Sequence, residues 1–478
     1  MTSLSDERIA PLDGTSLIAH SARRPVKICG NLHGVLLNLL PSARTHARVS
    51  LCVALAVLGG GTVVNAQTST ERPLGGIEGR IRAYVKAHKR EQIDFLEKAV
   101  NINSGTLNLA GVRAVGRLFE PEFAAIGFKP EWISLPDAVG RAGHLFAERK
   151  GKRGKRLLLL GHLDTVFEGE GQRFARLDTL AAGAGAADMK GGDVVILYAL
   201  KALHSVGALD DTRIIVALMG DEEDPGAPLT VSRQALIDAA RRSDIALAFE
   251  EDAGKGTVAR RGIGGWQLVV TARQAHSSGI FSQGSSYGAI YEGARILNEF
   301  REKLSKEQYL TFNPGVIVGG TDVTYDSARI SGTTAGKDNI IAPRLYARGD
   351  LRFLSPDQEL KARDAMRAIV AQHLPGTTAT ITFEDGNPAM PPTPGNYKLL
   401  AVLDSVSRDL GSGPIEALDP GRRGAGDISF ISNYVDALDG LGVVGMRSHT
   451  PEEKVDLRSI GPATERAAIL IYRLTRQK

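Results

Sequence analysis

Three short and almost wholly apolar runs constrain this chain most: Arg156–Gly161 (RLLLLG), Arg213–Met219 (RIIVALM) and Ile245–Phe249 (IALAF). Runs of this length, bounded by turn or acidic residues, read as strands buried on both faces. Gly191–Val206 (GGDVVILYALKALHSV), between the first two, has the spacing of an amphipathic helix. Strands alternating with helices in this way predict parallel βαβ units, hence an α/β fold built on a mixed, largely parallel sheet. Such a sheet brings the carboxyl ends of its strands to one edge, where open α/β folds place their ligands.

All three runs end in chemistry. The first leads into His162-Leu163-Asp164, the second into Asp221-Glu222-Glu223-Asp224 and the third into Glu250-Glu251-Asp252. So many carboxylates in one crevice repel each other unless a cation neutralises them, which makes a metal site the economical explanation. Nitrogen and oxygen ligands without thiolates suit zinc in a catalytic role. In the His-x-Asp pattern, His162 can bind metal through one ring nitrogen while Asp164 accepts the other N–H and fixes the tautomer. An isolated His-x-Asp is more often a surface histidine near a turn. The paired Glu222 and Glu223 allow one carboxylate to hold metal and its neighbour to serve as a base. Asp188, in Ala187-Asp188-Met189-Lys190-Gly191-Gly192, stands where a helix begins and by itself would more often be an N-cap.

These segments, with the late Ser448-His449-Thr450-Pro451-Glu452-Glu453, resemble in order and spacing the dizinc aminoacylase and glutamate carboxypeptidase family of metallopeptidases. The resemblance extends from about Ile77 to Leu474. It implies two zinc ions, with cobalt or manganese as substitutes, bridged by Asp188 and a water. One metal would also be held by His162 and Glu250, the other by Glu223 and His449. Glu222 would be the general base and acid, Asp164 the partner of His162, and the peptide bond after Asp188 cis. The resemblance further implies an inserted lid domain that mediates dimerisation, with one histidine reaching the partner's active site to stabilise the oxyanion. Gln274-Ala275-His276-Ser277-Ser278-Gly279 matches that motif, so His276 takes the role; otherwise it is a loop histidine capping the helix that follows. Asn339, in Lys337-Asp338-Asn339-Ile340-Ile341-Ala342-Pro343, would contact the substrate or oxyanion. Arg352 matches a position that binds the substrate's free carboxylate, for which a guanidinium offers a bidentate pair.

The remaining chain fits an insert of this kind. From Trp266 to about Phe383 the pattern runs strand, helix, strand, strand, helix, strand, as in a ferredoxin-like unit. The expected division is a signal peptide over 1–66, a catalytic domain in two parts (67–261 and 384–478) and the insert at 262–383. Ile77–Val100 reads as a helix. At 43% apolar and 23% charged residues the composition is that of an ordinary globular protein.

The first 66 residues stand apart. Val49–Val64 is uncharged, follows Arg44 and Arg48 and ends in Val64-Asn65-Ala66, a small-x-small pattern. This reads as a secretory leader cleaved after Ala66, giving a periplasmic or secreted protein with no stable membrane anchor. Cleavage leaves 412 of 478 residues, and six basic and three acidic side chains depart with the leader, lowering the net charge from +4 to +1. Both cysteines, Cys29 and Cys52, depart too. Charge this small and dispersed is no footprint for nucleic acid.

Lys255, Arg260 and Arg261 lie between Glu250 and the insert, at the expected rim of the site, and Lys255 is close to where glutamate-preferring members of the family place a lysine. Positive charge there tilts the reading toward carboxypeptidase-type release of a C-terminal amino acid, glutamate being one candidate, from a peptide or N-acyl conjugate. An N-acyl amino acid deacylase or dipeptidase of the same family is the alternative, and a metal-binding protein without turnover the remote one. The chain departs from common family patterns at Gly424-Ala425-Gly426-Asp427 and at Asp224-Pro225-Gly226-Ala227-Pro228, which puts specificity in doubt more than hydrolysis.

Overall fold

The computed structural model describes residues 74–169 and 173–477. The leader and its cleavage site lie outside the described residues. No helix among the described residues is long and apolar enough to cross a membrane.

The central sheet has six strands in the order Lys129–Ile133, His144–Arg149, Thr212–Met219, Arg153–His162, Ile245–Ala248 and Asp436–Leu438. The three strands expected from the apolar runs are neighbours. Arg153–His162 lies in the middle and pairs in parallel with both others, so His162 stands opposite Met219 and Leu160 opposite Ala248. This register aligns the carboxyl ends to within a residue or two. Strand alternation splits the leucine run between two cores: Leu157 and Leu159 face helices including Gly76–Ala87, Lys190–Ser205 and Leu457–Leu474, and Leu158 and Leu160 face Leu236, Ala239 and Ala240 of Gln234–Arg241. Burying both faces explains the lack of polar alternation in the sequence.

The expected helix over Ile77–Val100 is two, Gly76–Ala87 and Lys89–Val100. His88 breaks it: its Nδ1 lies 2.8 Å from the Tyr84 carbonyl and its ring stacks on Tyr84 at 3.8 Å. The buried Gln92 then donates to the Val85 and His88 carbonyls, at 3.2 and 3.4 Å, and so satisfies acceptors at the interrupted turn.

A second, four-stranded antiparallel sheet has the order Thr377–Asp385, Gly262–Ala272, Arg344–Phe353 and Thr311–Gly320. Helices Ala289–Leu304 and Pro356–Val370 cover one face, packing Phe300 and Met366 with Trp266, Leu268 and Leu351. The chain order is the expected β-α-β-β-α-β. The sequence reading missed a hairpin, Asp322–Asp326 with Ser331–Ala335, whose side chains are largely exposed and carry little hydrophobic signal.

Candidate metal centre

The three parallel strands deliver His162, the Asp221–Glu223 turn and Glu250 to one edge of the sheet. Asp188 arrives from the segment before helix Lys190–Ser205, and His449 from the turn before Lys454–Asp456. The helix's N-cap residue is Met189, so Asp188 is not spent as a cap. Its side chain instead faces two histidines: Oδ1 lies 3.3 Å from His162 Nε2, and Oδ2 lies 3.1 Å from His449 Nε2. His162 Nε2 is also 3.8 Å from Glu250 Oε1, and His449 Nε2 is 3.2 Å from Glu223 Oε2. The result is two ligand groups, His162–Asp188–Glu250 and Asp188–Glu223–His449, sharing one carboxylate. The peptide bond after Asp188 is cis, as expected. His449 sits at φ 63°, a left-handed conformation uncommon outside glycine and found at functional sites.

Electrostatics indicate that these groups suit a cation. Burial pushes Glu250 up to about 7, reinforced by the charge of Asp188, and burial raises Glu223 as well. Glu223 Oε1 is buried without a hydrogen-bond partner among the described residues. Hydrogen bonds to Asp188 and Glu223 carry His449 up to about 11. Burial alone would lower His162, yet Asp164 and Asp188 hold it well above its ordinary value. Without metal, protons must neutralise the cluster; a divalent ion replaces them and uses both free imidazole lone pairs.

Asp164 meets His162 through two oxygens and does more besides. The His162 Nδ1–H points at the backbone carbonyl of Asp164, 3.1 Å away, with Oδ1 of the side chain at 3.5 Å. The carboxylate itself accepts the N–H groups of Glu222 (3.0 Å) and Glu223 (3.1 Å) and the Thr106 hydroxyl (2.7 Å). It therefore orients the Glu-Glu turn, while the residue's carbonyl and carboxylate together face the histidine's Nδ1. Both leave His162 Nε2 as the ligating nitrogen. Glu222 lines a small enclosed cavity with His162, Glu250, Arg260 and Asp427. Burial, with the charges of Glu250, Asp427 and Glu223, raises its carboxyl well above the usual range.

A sequence model of Peptidase family M20/M25/M40 matches residues 158–473. The chain belongs to this family. Carboxypeptidase G2 from Pseudomonas sp. (strain RS-16) is 26% identical to it, over 80% of this chain and 89% of that protein. Succinyl-diaminopimelate desuccinylase from Leptothrix cholodnii is 24% identical, over 80% of this chain and 97% of that one. Among solved structures, aminopeptidase PepT from Bacillus cereus matches with a TM-score of 0.65 at 17% identity, over 81% of this chain and 98% of its own, which shows a shared fold. Family M20 enzymes are metal-dependent and often dinuclear, and this protein is a metal-dependent peptidase of that family.

The remaining residues expected at the M20 site are dispersed. His276 and Asn339 meet within the second sheet unit: Ser277 N–H donates to the Asn339 carbonyl at 2.9 Å, and His276 bridges to Ile340. His276 is exposed, and its Nδ1 accepts the Ser278 N–H (3.2 Å), capping the short helix Ser277–Gly279 and leaving the proton on Nε2 in the neutral ring. Arg352 is paired with Asp350 at 2.9 Å. Lys255 is half-buried and its ammonium is paired with Glu416 at 2.8 Å. Arg260 is not a rim residue. It is 4% exposed and paired with Asp439 at 2.5 Å, its Nη2 4.0 Å from Glu250 Oε2, because a guanidinium inside the sheet edge needs a carboxylate beside it.

Sequence reasoning overlooked several supports of this M20 centre. Glu453 Oε1 accepts the N–H groups of Ala187 (3.0 Å) and Asp188 (3.3 Å) and so holds the segment carrying the shared carboxylate. It lay inside the quoted Ser448–Glu453 motif, but only the fold shows what it touches. Arg233, fully buried, bridges Asp221 (2.6 Å) and Asp427 (2.7 Å), tying the acidic turn to the loop that closes the Glu222 cavity. It stands between the helices Leu229–Ser232 and Gln234–Arg241, and nothing in that stretch of sequence hints at the role.

Proposed function

We propose that this protein is a dizinc amide hydrolase releasing a C-terminal amino acid, with glutamate among the candidates, from a peptide or N-acyl conjugate. The observation carrying the reading is Asp188, whose two oxygens face histidines of two separate ligand groups. His162 and Glu250 would hold one ion, Glu223 and His449 the other, and Asp188 both. A metal pair in such a site supplies Lewis-acid polarisation of the amide carbonyl and lowers the pKa of a water. The chain's own groups do the rest. Glu222, kept basic by its enclosed setting, takes the water's proton and returns it to the leaving nitrogen. Asp164 holds the Glu222 and Glu223 backbone so that one carboxylate stays free beside its ligating neighbour.

The likeness to Carboxypeptidase G2 supports the carboxypeptidase direction, and the likeness to the desuccinylase keeps an N-acyl amino acid substrate in view. Export to the periplasm or medium, and a homodimer in which His276 acts on the partner's site through its Nε2–H, belong to the same proposal.

Metal content and hydrolysis of the wild type and Glu222→Gln test it, with a panel of peptidyl and N-acyl glutamates compared by kcat/KM. Two bound metals with activity lost in the variant are expected. Full activity of Glu222→Gln with both metals bound would show that another group is the base.

A further inference from the structure

Every cation that the sequence nominated for an anionic substrate beside Glu250 is already neutralised, except Arg261. Lys255 is paired with Glu416, Arg260 with Asp439 and Arg352 with Asp350. Arg423, half-buried in the loop Gly421–Asp427, is different. Its Nη2 donates to the carbonyl of Glu251, the residue after Glu250. Its Nε is buried with no acceptor, and no carboxylate lies within 4.0 Å of it among the described residues.

The position is close to both ligand-bearing segments. The side chain of Glu251 accepts the Ser448 hydroxyl, next to His449. Gly440 backs the guanidinium so tightly that a Cβ there would lie 3.2 Å from Arg423 Nη2 and 3.6 Å from the Glu251 carbonyl. The loop carrying Arg423 ends at Asp427, which lines the same cavity as Glu222 and Glu250. Arg261 reaches this loop too, donating to the Gly421 carbonyl at 3.3 Å, and its Nε is likewise buried without an acceptor.

A guanidinium anchored through one Nη, with its other Nη unspent and no carboxylate beside it, keeps a charged donor for an incoming carboxylate. An unneutralised, half-buried cation next to the segments that carry Glu250 and His449 attracts anions, with less screening than at a fully exposed position. We propose that Arg423, with the added charge of Arg261, receives a carboxylate of the substrate and so sets a preference for substrates negatively charged next to the scissile amide. The proposal rests on the amide-hydrolase reading above. The carboxylate is either the C-terminal one or that of an acidic side chain.

Four probes separate these sources: benzoyl-Gly-Glu, benzoyl-Gly-Gln, and the α-amide of each, assayed with the metal-loaded wild type, Arg423→Gln and Arg423→Lys. Arg423→Gln should lower kcat/KM about 10- to 100-fold for probes bearing the recognised carboxylate, mainly through KM, as expected for losing a charge-assisted pair. Arg423→Lys should restore part of the loss, because it keeps the charge but not the guanidinium's anchor and remaining donors. Losses on Glu and Gln probes but not the amides identify the C-terminal carboxylate; losses on both Glu probes alone identify the side chain. An equal loss on all four, or none, overturns the role of Arg423. If the wild type cleaves no probe, the amide-hydrolase reading fails with it. Bound metal and melting temperature of Arg423→Gln, expected at wild-type values, show that the centre is intact.

Discussion

Arg233→Met tests whether the buried ion triad under the acidic turn is essential. Arg233 is fully buried and donates to Asp221 Oδ1 at 2.6 Å, the Asp221 carbonyl at 2.9 Å and Asp427 Oδ1 at 2.7 Å. Methionine fills much of its volume but leaves two buried carboxylates without a counter-charge. Removing one partner of a buried pair typically costs about 3–5 kcal/mol. With about 400 folded residues and an unfolding entropy of about 2.1 cal/mol/K per residue, that corresponds to a fall in Tm of about 4–6 °C. The loss should depend on pH. Burial already raises the Asp427 carboxyl and Arg233 opposes this, so the variant raises it further. The folded state then keeps a proton that the unfolded chain releases, so the destabilisation grows as pH rises through the normal carboxylate range and shrinks below about pH 4. Calorimetry or thermal denaturation across pH measures both effects. Adding Asp427→Asn should recover part of the loss by removing one unpaired charge. A Tm within about 1 °C of wild type at neutral pH would refute the argument and point to another neutraliser, such as His144, 3.9 Å from Asp221.

Other expectations follow from the same geometry. Glu453→Ala orphans the Ala187 and Asp188 N–H groups and should weaken metal binding about 10- to 100-fold in chelator competition, while Glu453→Gln, which keeps an acceptor oxygen, should bind nearly as wild type. Equal affinity in the alanine variant would reduce Glu453 to a packing role. In the metal-free protein the raised Glu250 (about 7) and His449 (about 11) both hold protons that the unfolded chain gives up, so Tm in chelator should fall as pH rises from about 5.5 to 9. Adding zinc should flatten that slope and release protons, measurable by titration calorimetry in buffers of different ionisation enthalpy. Mixing Glu222→Gln with His276→Ala protomers should restore activity to some sites if His276 acts across a dimer; no restoration assigns it to its own chain.

The sequence alone determined the strands and what stands at their ends. Four consecutive leucines between charged or glycine neighbours have few places to go except the middle of a two-faced sheet, and His162, Glu222, Glu223 and Glu250 follow such runs directly. Parallel pairing then brings them together by register. The strand-helix order of the second sheet was equally legible, because each element buries one regular face. The exposed hairpin at Asp322–Ala335 and the break at His88 were not, since neither changes the apolar pattern. Charge was the least legible property. Lys255, Arg260 and Arg352 look alike as letters near the site, yet their meaning depends on which carboxylate lies beside each in space: Glu416, Asp439 and Asp350 are 161, 179 and 2 residues away. Likewise, only the packed chain brings Glu453 to the backbone of Asp188, places Arg233 between Asp221 and Asp427, and sets Arg423 on the Glu251 carbonyl with no carboxylate partner among the described residues. Apolar burial is written locally in side-chain periodicity, whereas an ionised group's role is fixed by partners within about 4 Å, which tertiary structure alone selects.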